Sequence, residues 1–359
     1  MLKTLDIYII KKFLGTFFLT LTLFIMIAIV FDVVEKLEDF MNDKIPVSEI
    51  IIEYYLNFIP YFAALFTPLF LFVAVIFFTS RMAYGSEIIS ILNSGITFNR
   101  MLVPYFIASL LITGLNIYAN HWVIPDANKK RLAFTDAHVG YTPHNPDENI
   151  HMQVAKNEFM YMENFNVGDS SGYKFSYEKF DNDQLLYKMR SDRILWNAKS
   201  KTWDLKNYAE RFNDSLKERV RFGKDTLISY NFVPNDLKRD EHAMETLNAH
   251  ELNDRITELK MRGADDITFY EIEKYRRTSF PFAIPILTLI AVSLASRKVR
   301  GGIGLHIGFG IAISFTYILF LQFSQTFATN GNLPAVIGVW IPNLIFAVVA
   351  IFLYRLAPK

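Results

Sequence analysis

Long apolar runs separated by charged segments dominate the sequence. A helix needs about 20 apolar residues to cross about 30 Å of hydrocarbon. Four runs reach that length: Phe13–Phe31, Tyr54–Ser80, Met101–Pro125 and Thr278–Ser296. The uncharged stretch Gly301–Tyr354 is too long for one helix, and its segment ATNGNLP combines Asn-Gly with a proline, which end helices. The pattern therefore predicts an α-helical polytopic membrane protein with six transmembrane helices.

Between the third and fourth spans, apolar residues recur at every second position. The segments KFSYEKF and RILWNAKSKTWDL alternate in this way, and NVGDSSG and NDSLK supply turn residues. Several short strands of this kind predict an all-β, antiparallel, jelly-roll-like domain. We expect Trp196 and Trp203 in its core.

After the predicted sheet the period becomes that of a helix. The segment ELNDRITELKMRG places Leu252, Ile256 and Leu259 on one face, with Gly263 as the stop. We predict a helical linker over residues 251–277 that leads into the fourth span. The chain then divides into spans 1 to 3 (1–125), a β domain (126–277) and spans 4 to 6 (278–359).

Charge is concentrated in the predicted β domain and sets the topology. Of the 73 Lys, Arg, Asp and Glu residues, 52 lie in residues 126–277. With the N-terminus in the cytoplasm, the inner loops and termini hold ten basic residues against two acids, and the first outer loop holds two against seven. The positive-inside rule then places both termini in the cytoplasm and the β domain outside.

The common motifs of enzyme chemistry are absent from the sequence. The chain has no cysteine, which excludes disulfides and thiolate metal sites. Gly223-Lys224 lacks the rest of a P-loop, and the spacing of His138, His144 and His151 matches no common metal motif. We expect no catalytic residues, cofactor, metal or nucleic-acid partner. The spans offer no ion relay, because His121 and His306 lie near span ends and interfacial placement explains both. Energy for transport would have to come from another subunit.

A short apolar helix is predicted between the second and third spans, over residues 86–95. Ser86 can cap its start, Glu87 suits the positive end of the helix dipole and Gly95 suits a left-handed stop. Its apolar residues are expected to be exposed: Ile88, Ile89, Ile91 and Leu92. One interpretation is an interfacial helix resting on lipid. The other is a coupling helix that fits a groove on a cytoplasmic ATPase, with Glu87 adding an ionic contact.

Basic residues flank the β domain on the predicted outer side, against the usual bias: Lys129, Lys130, Arg131, Arg276 and Arg277. Long translocated domains tolerate such charges, which explains them without a function. Alternatively, they form a collar for the phosphate of an anionic lipid headgroup, which arginine is suited to bind.

The sequence resembles the LptF/LptG (YjgP/YjgQ) permeases of the bacterial lipopolysaccharide exporter over nearly its full length. The matching segments, in order, are LDIYIIKKFLGTF, SEIISILNSGITFNRM, WVIP, the W…W.L strand pair, ELNDRITELKMRG, YRRTSFPFAIPILTLIAVSLASRKVRGG and GNLPAVIGVWIPNLIFAVVAIFLYRL. Each segment alone is weak, but their order and spacing together are specific.

The resemblance implies a function and a set of partners. Two such permeases, one LptF and one LptG, form a cavity open to the outer leaflet of the bacterial inner membrane. Two copies of the ATPase LptB bind the coupling helices, and the family's acidic contact falls on Glu87. The periplasmic β domain joins LptC and LptA in a bridge that carries lipopolysaccharide toward the outer membrane. Family members of the G type have basic residues at the outer end of the first span, where this chain offers only Lys36.

Two other classes of protein are alternatives to an ATP-driven permease subunit. A secondary transporter needs buried ionisable residues in its spans, which this sequence does not offer. A membrane anchor or sensor for an outer β domain needs one or two spans rather than six.

Overall fold

The computed structural model describes residues 3–42, 45–138, 149–166, 168–181, 184–214, 217–237, 243–262, 267–297, 302–331 and 333–357. The chain forms two compact units. The membrane unit comprises Met1–Gly140, Glu245–Leu252 and Thr268–Lys359. The second unit, the β unit, comprises Tyr141–Met244 and Asn253–Ile267.

The predicted number of spans is confirmed. The described residues include six helical stretches long and apolar enough to cross a membrane: Thr4–Met41, Val47–Tyr84, Phe98–His138, Ile267–Ala295, Gly304–Thr329 and Ala335–Leu356. The first four extend well beyond the apolar runs in the sequence, because the helical hydrogen bonding continues into polar segments. The third stretch, for example, remains helical to His138, although its apolar run ends at Pro125.

The helices of the membrane unit surround α3 and α10. The first six helices are α1 (Thr4–Asn42), α2 (Val47–Glu49), α3 (Leu56–Tyr84), α4 (Glu87–Asn93), α5 (Phe98–Tyr118) and α6 (Ile124–His138). The remaining helices of the chain are α7 (Ala243–Thr246), α8 (Ala249–Arg262), α9 (Ile267–Ser279), α10 (Ala283–Ala295), α11 (Gly302–Thr329) and α12 (Ala335–Leu356). Phe72 and Val75 of α3 and Ile290 of α10 are fully buried in the core. The π-helical segments Ile50–Tyr55 and Ala119–Val123 precede α3 and α6.

The fourth span is broken by the 3-10 segment Phe280–Phe282. The backbone N–H of Ala283 donates to Phe280 O rather than to Ser279 O. Asn343 of α12 adds a side-chain donor to that carbonyl, with Nδ2 2.6 Å from Ser279 O. Tyr317 of α11 donates its hydroxyl to Asn343 Oδ1 at 3.0 Å. The side chains of Tyr317 and Asn343 are buried, so this chain of polar contacts ties α11, α12 and the break together.

An antiparallel sheet forms the β unit, as the alternating pattern predicts. Its strands are β1 (Ile150–Ala155), β2 (Glu158–Met162), β3 (Asn164–Asn166), β4 (Ser171–Asp181), β5 (Gln184–Asn197), β6 (Thr202–Asp214) and β7 (Lys217–Ile228). The order is β1-β2-β4-β5-β6-β7, with β3 also paired to β4. Strands β4 to β7 therefore pair in succession, as in a meander, whereas β2 and β3 both pair with β4.

The core of the β unit contains the expected aromatic residues. Trp203 is fully buried, and its Nε1 donates to Phe232 O at 3.0 Å. Trp196 lies opposite Trp203 in the β5–β6 ladder, with the rings edge to face and their centroids 5.1 Å apart. The core placement is confirmed for Trp203, whereas Trp196 is partly buried and packs against that core.

The helix predicted after the sheet is α8. Leu252, Ile256 and Leu259 are all buried, which confirms that they share one face. The predicted stop at Gly263 lies outside the described residues.

Candidate functional site

The predicted short helix is α4, and it lies at one end of the membrane unit, which we call the α4 end. Gly95 has a φ of +84°, which confirms the left-handed stop predicted for it. The capping role predicted for Ser86 is wrong. Ser86 precedes α4 but has a φ of 62°, and its side chain makes no capping hydrogen bond. Its backbone carbonyl instead accepts from the N–H and the hydroxyl of Ser90.

The apolar side chains of α4 are not all exposed, which corrects the prediction for Ile88. Ile88 is 1% exposed and packs into the core of the membrane unit. Ile91 and Leu92 are partly buried against that core, whereas Ile89 is 47% exposed. The sequence pattern could not reveal which side of so short a helix would face the bundle. The outward surface of α4 is therefore formed by Ile89, Ser90 and Asn93 with the partly exposed Glu87, rather than by a row of isoleucines.

Glu87 is held by two residues of α1. The hydroxyl of Tyr8 donates to Oε2 of Glu87 at 2.8 Å, and Nζ of Lys12 lies 3.4 Å from both carboxylate oxygens. The carboxylate remains 39% exposed. Sequence analysis missed both partners, although Tyr8 and Lys12 are four residues apart and so share a helix face.

A second link joins α1 to α5 at the same end. Arg100 makes a bidentate contact with Asp6, with Nη1 to Oδ1 at 2.7 Å and Nη2 to Oδ2 at 2.6 Å. Asp6 is 2% exposed, whereas Arg100 is 35% exposed. The hydroxyl of Thr97 caps the start of α5 by accepting from the N–H of Arg100. These contacts bring α1, α4 and α5 together beneath one exposed acidic and apolar surface.

The five basic residues predicted as an outer collar lie at the far end of the membrane unit. From Tyr61, near this end of α3, to Tyr84 the helix spans about 35 Å. Nζ of Lys129 pairs with Glu251 at 3.1 Å, and both Arg276 and Arg277 pair with Glu273. Sequence analysis did not anticipate these acidic partners.

The positive charges of the other two basic residues of this collar, Arg131 and Lys130, are less fully neutralised by neighbouring acids. The guanidinium of Arg131 lies over the ring of Tyr61, 5.0 Å from its centroid, and Nε contacts Asn128 Oδ1 at 3.3 Å. Lys130 is exposed and has no ion pair with any described residue.

Lys36 is held within the membrane unit. Its Nζ pairs with Asp32 and lies 2.6 Å from the hydroxyl of Tyr54. Tyr55 also donates to Asp32, at 3.0 Å. Lys36 thus joins α1 to the π-helical segment before α3. A lipid headgroup would reach Lys36 only by competing with Asp32.

The two histidines near span ends differ in burial. His306 is buried near the start of α11, and its Nε2 lies 3.1 Å from Arg297 O. His121 is half-buried, with Nε2 3.3 Å from the hydroxyl of Thr278. Each of these ring nitrogens therefore has a polar neighbour within the membrane unit.

The β unit carries a groove of about 810 Å³. Its lining mixes apolar residues such as Phe159, Tyr161 and Phe222 with basic and acidic ones, among them Arg190 and the ion pair of Lys188 with Glu178. Such a lining can contact both hydrocarbon and anionic groups.

Six candidate spans and an antiparallel β domain after the third define a multi-pass membrane protein. A family model described as "Lipopolysaccharide export system permease LptF/LptG" matches residues 7–356. The chain belongs to this family, so it is a lipopolysaccharide export permease of the inner membrane and a component of a transporter. The family works with further components of the same export system, such as a companion permease. A search of curated proteins found no match.

Proposed function

We propose that this chain is the permease half of an ATP-driven exporter that withdraws lipopolysaccharide from the outer leaflet of the inner membrane. It pairs with a companion LptF or LptG permease and binds an LptB ATPase dimer through α4. Both termini lie in the cytoplasm, and the β unit lies in the periplasm. There it passes lipid to a bridge formed with LptC and LptA.

The observation that carries this proposal is the attachment of α4. Ile88 anchors the helix in the core, and Tyr8 and Lys12 bind the Glu87 carboxylate to α1. A force applied to the exposed Ile89 or Glu87 would therefore reach α1 and α3 without a flexible linker. An interfacial helix resting on lipid would not require a directional carboxylate contact of this kind.

The open edges of the sheet support the bridge. β1 and β7 each pair with one strand among the described residues, which makes them the edges of the sheet as described. Val220, Phe222 and Leu227 of β7 are exposed. A strand from LptC or LptA could extend the sheet through backbone hydrogen bonds. The apolar and basic groove would then continue a path for a lipid with an anionic headgroup.

Six residues remain proposed contacts for the lipid headgroup: Lys36, Lys129, Lys130, Arg131, Arg276 and Arg277. They differ in exposure and in whether an acidic residue already holds them. Lys130 is exposed and Arg131 partly so, whereas Lys36 and Arg277 are already engaged with buried or half-buried acids. We therefore expect Lys130 and Arg131 to reach a lipid first.

The test is reconstitution of the permease pair with LptB in vesicles containing lipopolysaccharide. We expect release of lipid to require ATP, and Glu87→Ala or Ile89→Asp to abolish retention of LptB while the permease stays folded. Glu35→Ala, which removes an exposed acid elsewhere on α1, is the matched control. Transport driven by a proton gradient without nucleotide would establish a secondary transporter instead.

A further inference from the structure

A short segment of the predicted β domain belongs to the membrane unit. Residues Glu245–Glu251 lie within a part of the chain that the sequence assigns to the insert, yet they cluster with the membrane-spanning helices. We call this segment the acidic strap. It runs from the end of α7 to the start of α8 and lies at the far end, among the basic residues described above.

The strap contacts the far end through oxygen atoms. Both carboxylate oxygens of Glu251 lie 3.1 Å from Nζ of Lys129. The carboxylate of Glu245 lies 3.5 Å from both the hydroxyl of Tyr61 and Nδ2 of Asn128. The backbone carbonyl of Leu247 accepts from Nη1 of Arg277 at 2.7 Å. Every one of these partners is a hydrogen-bond donor on the membrane-spanning part of the unit.

A small cavity lies between the strap and the bundle. Tyr61, Asn128 and Arg276 line it together with Glu245, and its volume is about 20 Å³. It holds no more than about one water molecule. The strap therefore fills the space around these donors, and a ligand could reach them only by moving the strap.

The donors on this surface suit a phosphate. Ammonium, guanidinium, amide and hydroxyl groups bind phosphate oxygens as they bind carboxylate oxygens, and charged donors bind both strongly. Both side chains of the Lys129–Glu251 pair are exposed to solvent, and exposed ion pairs are weak. Lys130, the next residue along, is exposed and offers a first contact for an anion. A phosphate can therefore compete for the same donors.

We propose that the acidic strap is an internal stand-in for the phosphate of an anionic lipid. Its carboxylates occupy the donors of Lys129, Asn128 and Tyr61 in the absence of lipid, and the lipid phosphate displaces it. This assignment rests on the proposed function only for the view that the ligand is a lipid. The strap thus occupies these three donors until a lipid headgroup arrives.

At Glu251, the negative charge can be removed without removing the helix cap. Oε2 of Glu251 accepts from the N–H of Asn248, and Oδ1 of Asn248 accepts from the N–H of Glu251, which is a capping box. Glutamine can keep both parts of this box. Glu251→Gln therefore removes the charge that binds Lys129 but leaves the start of α8 capped.

The experiment follows the strap with a spin label. Because the chain has no cysteine, His250→Cys provides a unique attachment point at an exposed position. The full-length permease is placed in nanodiscs of phosphatidylcholine, alone or with lipopolysaccharide or phosphatidylglycerol, or with soluble inorganic phosphate. Label mobility reports the strap, and photocrosslinking to labelled lipopolysaccharide reports capture of lipid.

We expect the label to be immobile in phosphatidylcholine alone and mobile with either anionic lipid. Glu251→Gln and Lys129→Gln both break the ion pair, so both should mobilise the label without lipid. Capture of lipopolysaccharide should rise several-fold in Glu251→Gln and fall several-fold in Lys129→Gln. A merely structural ion pair would move capture in the same direction in both variants. Asp126→Asn, which removes an exposed acid from the same end, should change neither readout.

Three results would overturn the proposal: a label that anionic lipid does not mobilise, equal effects of the two variants on capture, or full release by soluble phosphate. The last would show that a lipid is not required. The measurements use the permease without ATPase or nucleotide. Failure of ATP-driven transport would therefore leave them unaffected, and their failure would leave the role of α4 intact.

Discussion

The hydroxyl of Tyr8 donates to Oε2 of Glu87 at 2.8 Å, joining α1 to α4 across 79 positions of the sequence. Lys12, one helical turn further along α1, supports the same carboxylate from 3.4 Å. Glu87 is thus oriented before any partner binds. Orienting a contact residue in advance lowers the entropy that binding must overcome.

Tyr8→Phe should weaken binding of LptB to the permease by about two- to fivefold. The variant removes one hydrogen bond to a charged but partly exposed group, which contributes about 0.5–1 kcal/mol. Binding of purified LptB to immobilised permease measures the change. Tyr118→Phe, at an exposed tyrosine of α5 with no described hydrogen bond, is the control. Equal binding by the Tyr8 variant and wild type would mean that Tyr8 does not orient Glu87.

Ile88→Ala should mainly lower stability, whereas Ile89→Ala should mainly weaken LptB binding. Ile88 is fully buried, so its truncation should lower the free energy of unfolding by about 2–4 kcal/mol. Ile89 is exposed, so its truncation should leave stability within about 0.5 kcal/mol and weaken LptB binding instead. Thermal unfolding in detergent and the LptB binding assay separate the two. A similar loss of stability in both variants would contradict the described orientation of α4.

Removal of either partner of the Asp6–Arg100 pair should destabilise the fold unequally. Arg100→Gln leaves the carboxylate of Asp6 without its counter-ion, so we expect the larger loss of stability. Asp6→Asn leaves Arg100, which is partly exposed and can turn toward solvent, so we expect the smaller loss. Chemical unfolding of the two variants measures the difference. A larger loss for Asp6→Asn would reverse the assignment of the buried partner.

Ser86→Gly should stabilise the protein by about 1 kcal/mol. Ser86 has a left-handed backbone, which costs about 1–2 kcal/mol for a residue with a Cβ atom, and its side chain caps nothing. Ser86→Ala should leave the stability unchanged, because the side chain of Ser86 caps nothing. If the serine capped α4, Ser86→Ala would instead cost about 1 kcal/mol. Thermal unfolding of the two variants distinguishes these cases.

Stability of the β unit should depend on pH through Glu158. The hydroxyl of Tyr177 and the ammonium of Lys179 lower the pKa of Glu158 below its usual value of 4.5. A lowered pKa in the folded state stabilises the fold above pH 4.5, and this contribution is lost as the pH falls through the folded-state pKa. Wild type should therefore be more stable than Glu158→Gln at neutral pH, and the difference should shrink toward zero below pH 4.5.

Tryptophan fluorescence during urea unfolding at several pH values measures this difference, because Trp203 lies in the core of the same unit. Lys179→Met should reduce the difference in stability between wild type and Glu158→Gln, because this variant deletes one of the two groups that favour the carboxylate. A difference between wild type and Glu158→Gln that is constant with pH would contradict the assignment.

The spans, the sheet and the core position of Trp203 could be predicted because each depends on a local pattern. Span number follows from the length of an apolar run, and strands follow from alternation over a few residues. The left-handed stop at Gly95 likewise needs only the special freedom of glycine. None of these features requires knowledge of which distant segments meet.

The missed features depend on tertiary contacts. Ser86 looked like a cap, but the tight turn after α3 forces its backbone into a conformation from which it cannot cap. Ile88 looked exposed because its burial depends on α4 packing back onto the bundle. The pairing of Lys129 with Glu251 joins residues 122 positions apart, and no local pattern relates them.

The bond between Asn343 and Ser279 limits where the helices can separate. If α12 moved away from the break in the fourth span, the buried amide of Asn343 would lose its acceptor in a medium without water, at a cost of several kcal/mol. The last three helices should therefore travel as one rigid body. On the apolar side of α1, Phe18 and Ile27 are exposed and no described residue forms such a tether. An opening between subunits wide enough for a lipid would form along that side at far lower cost.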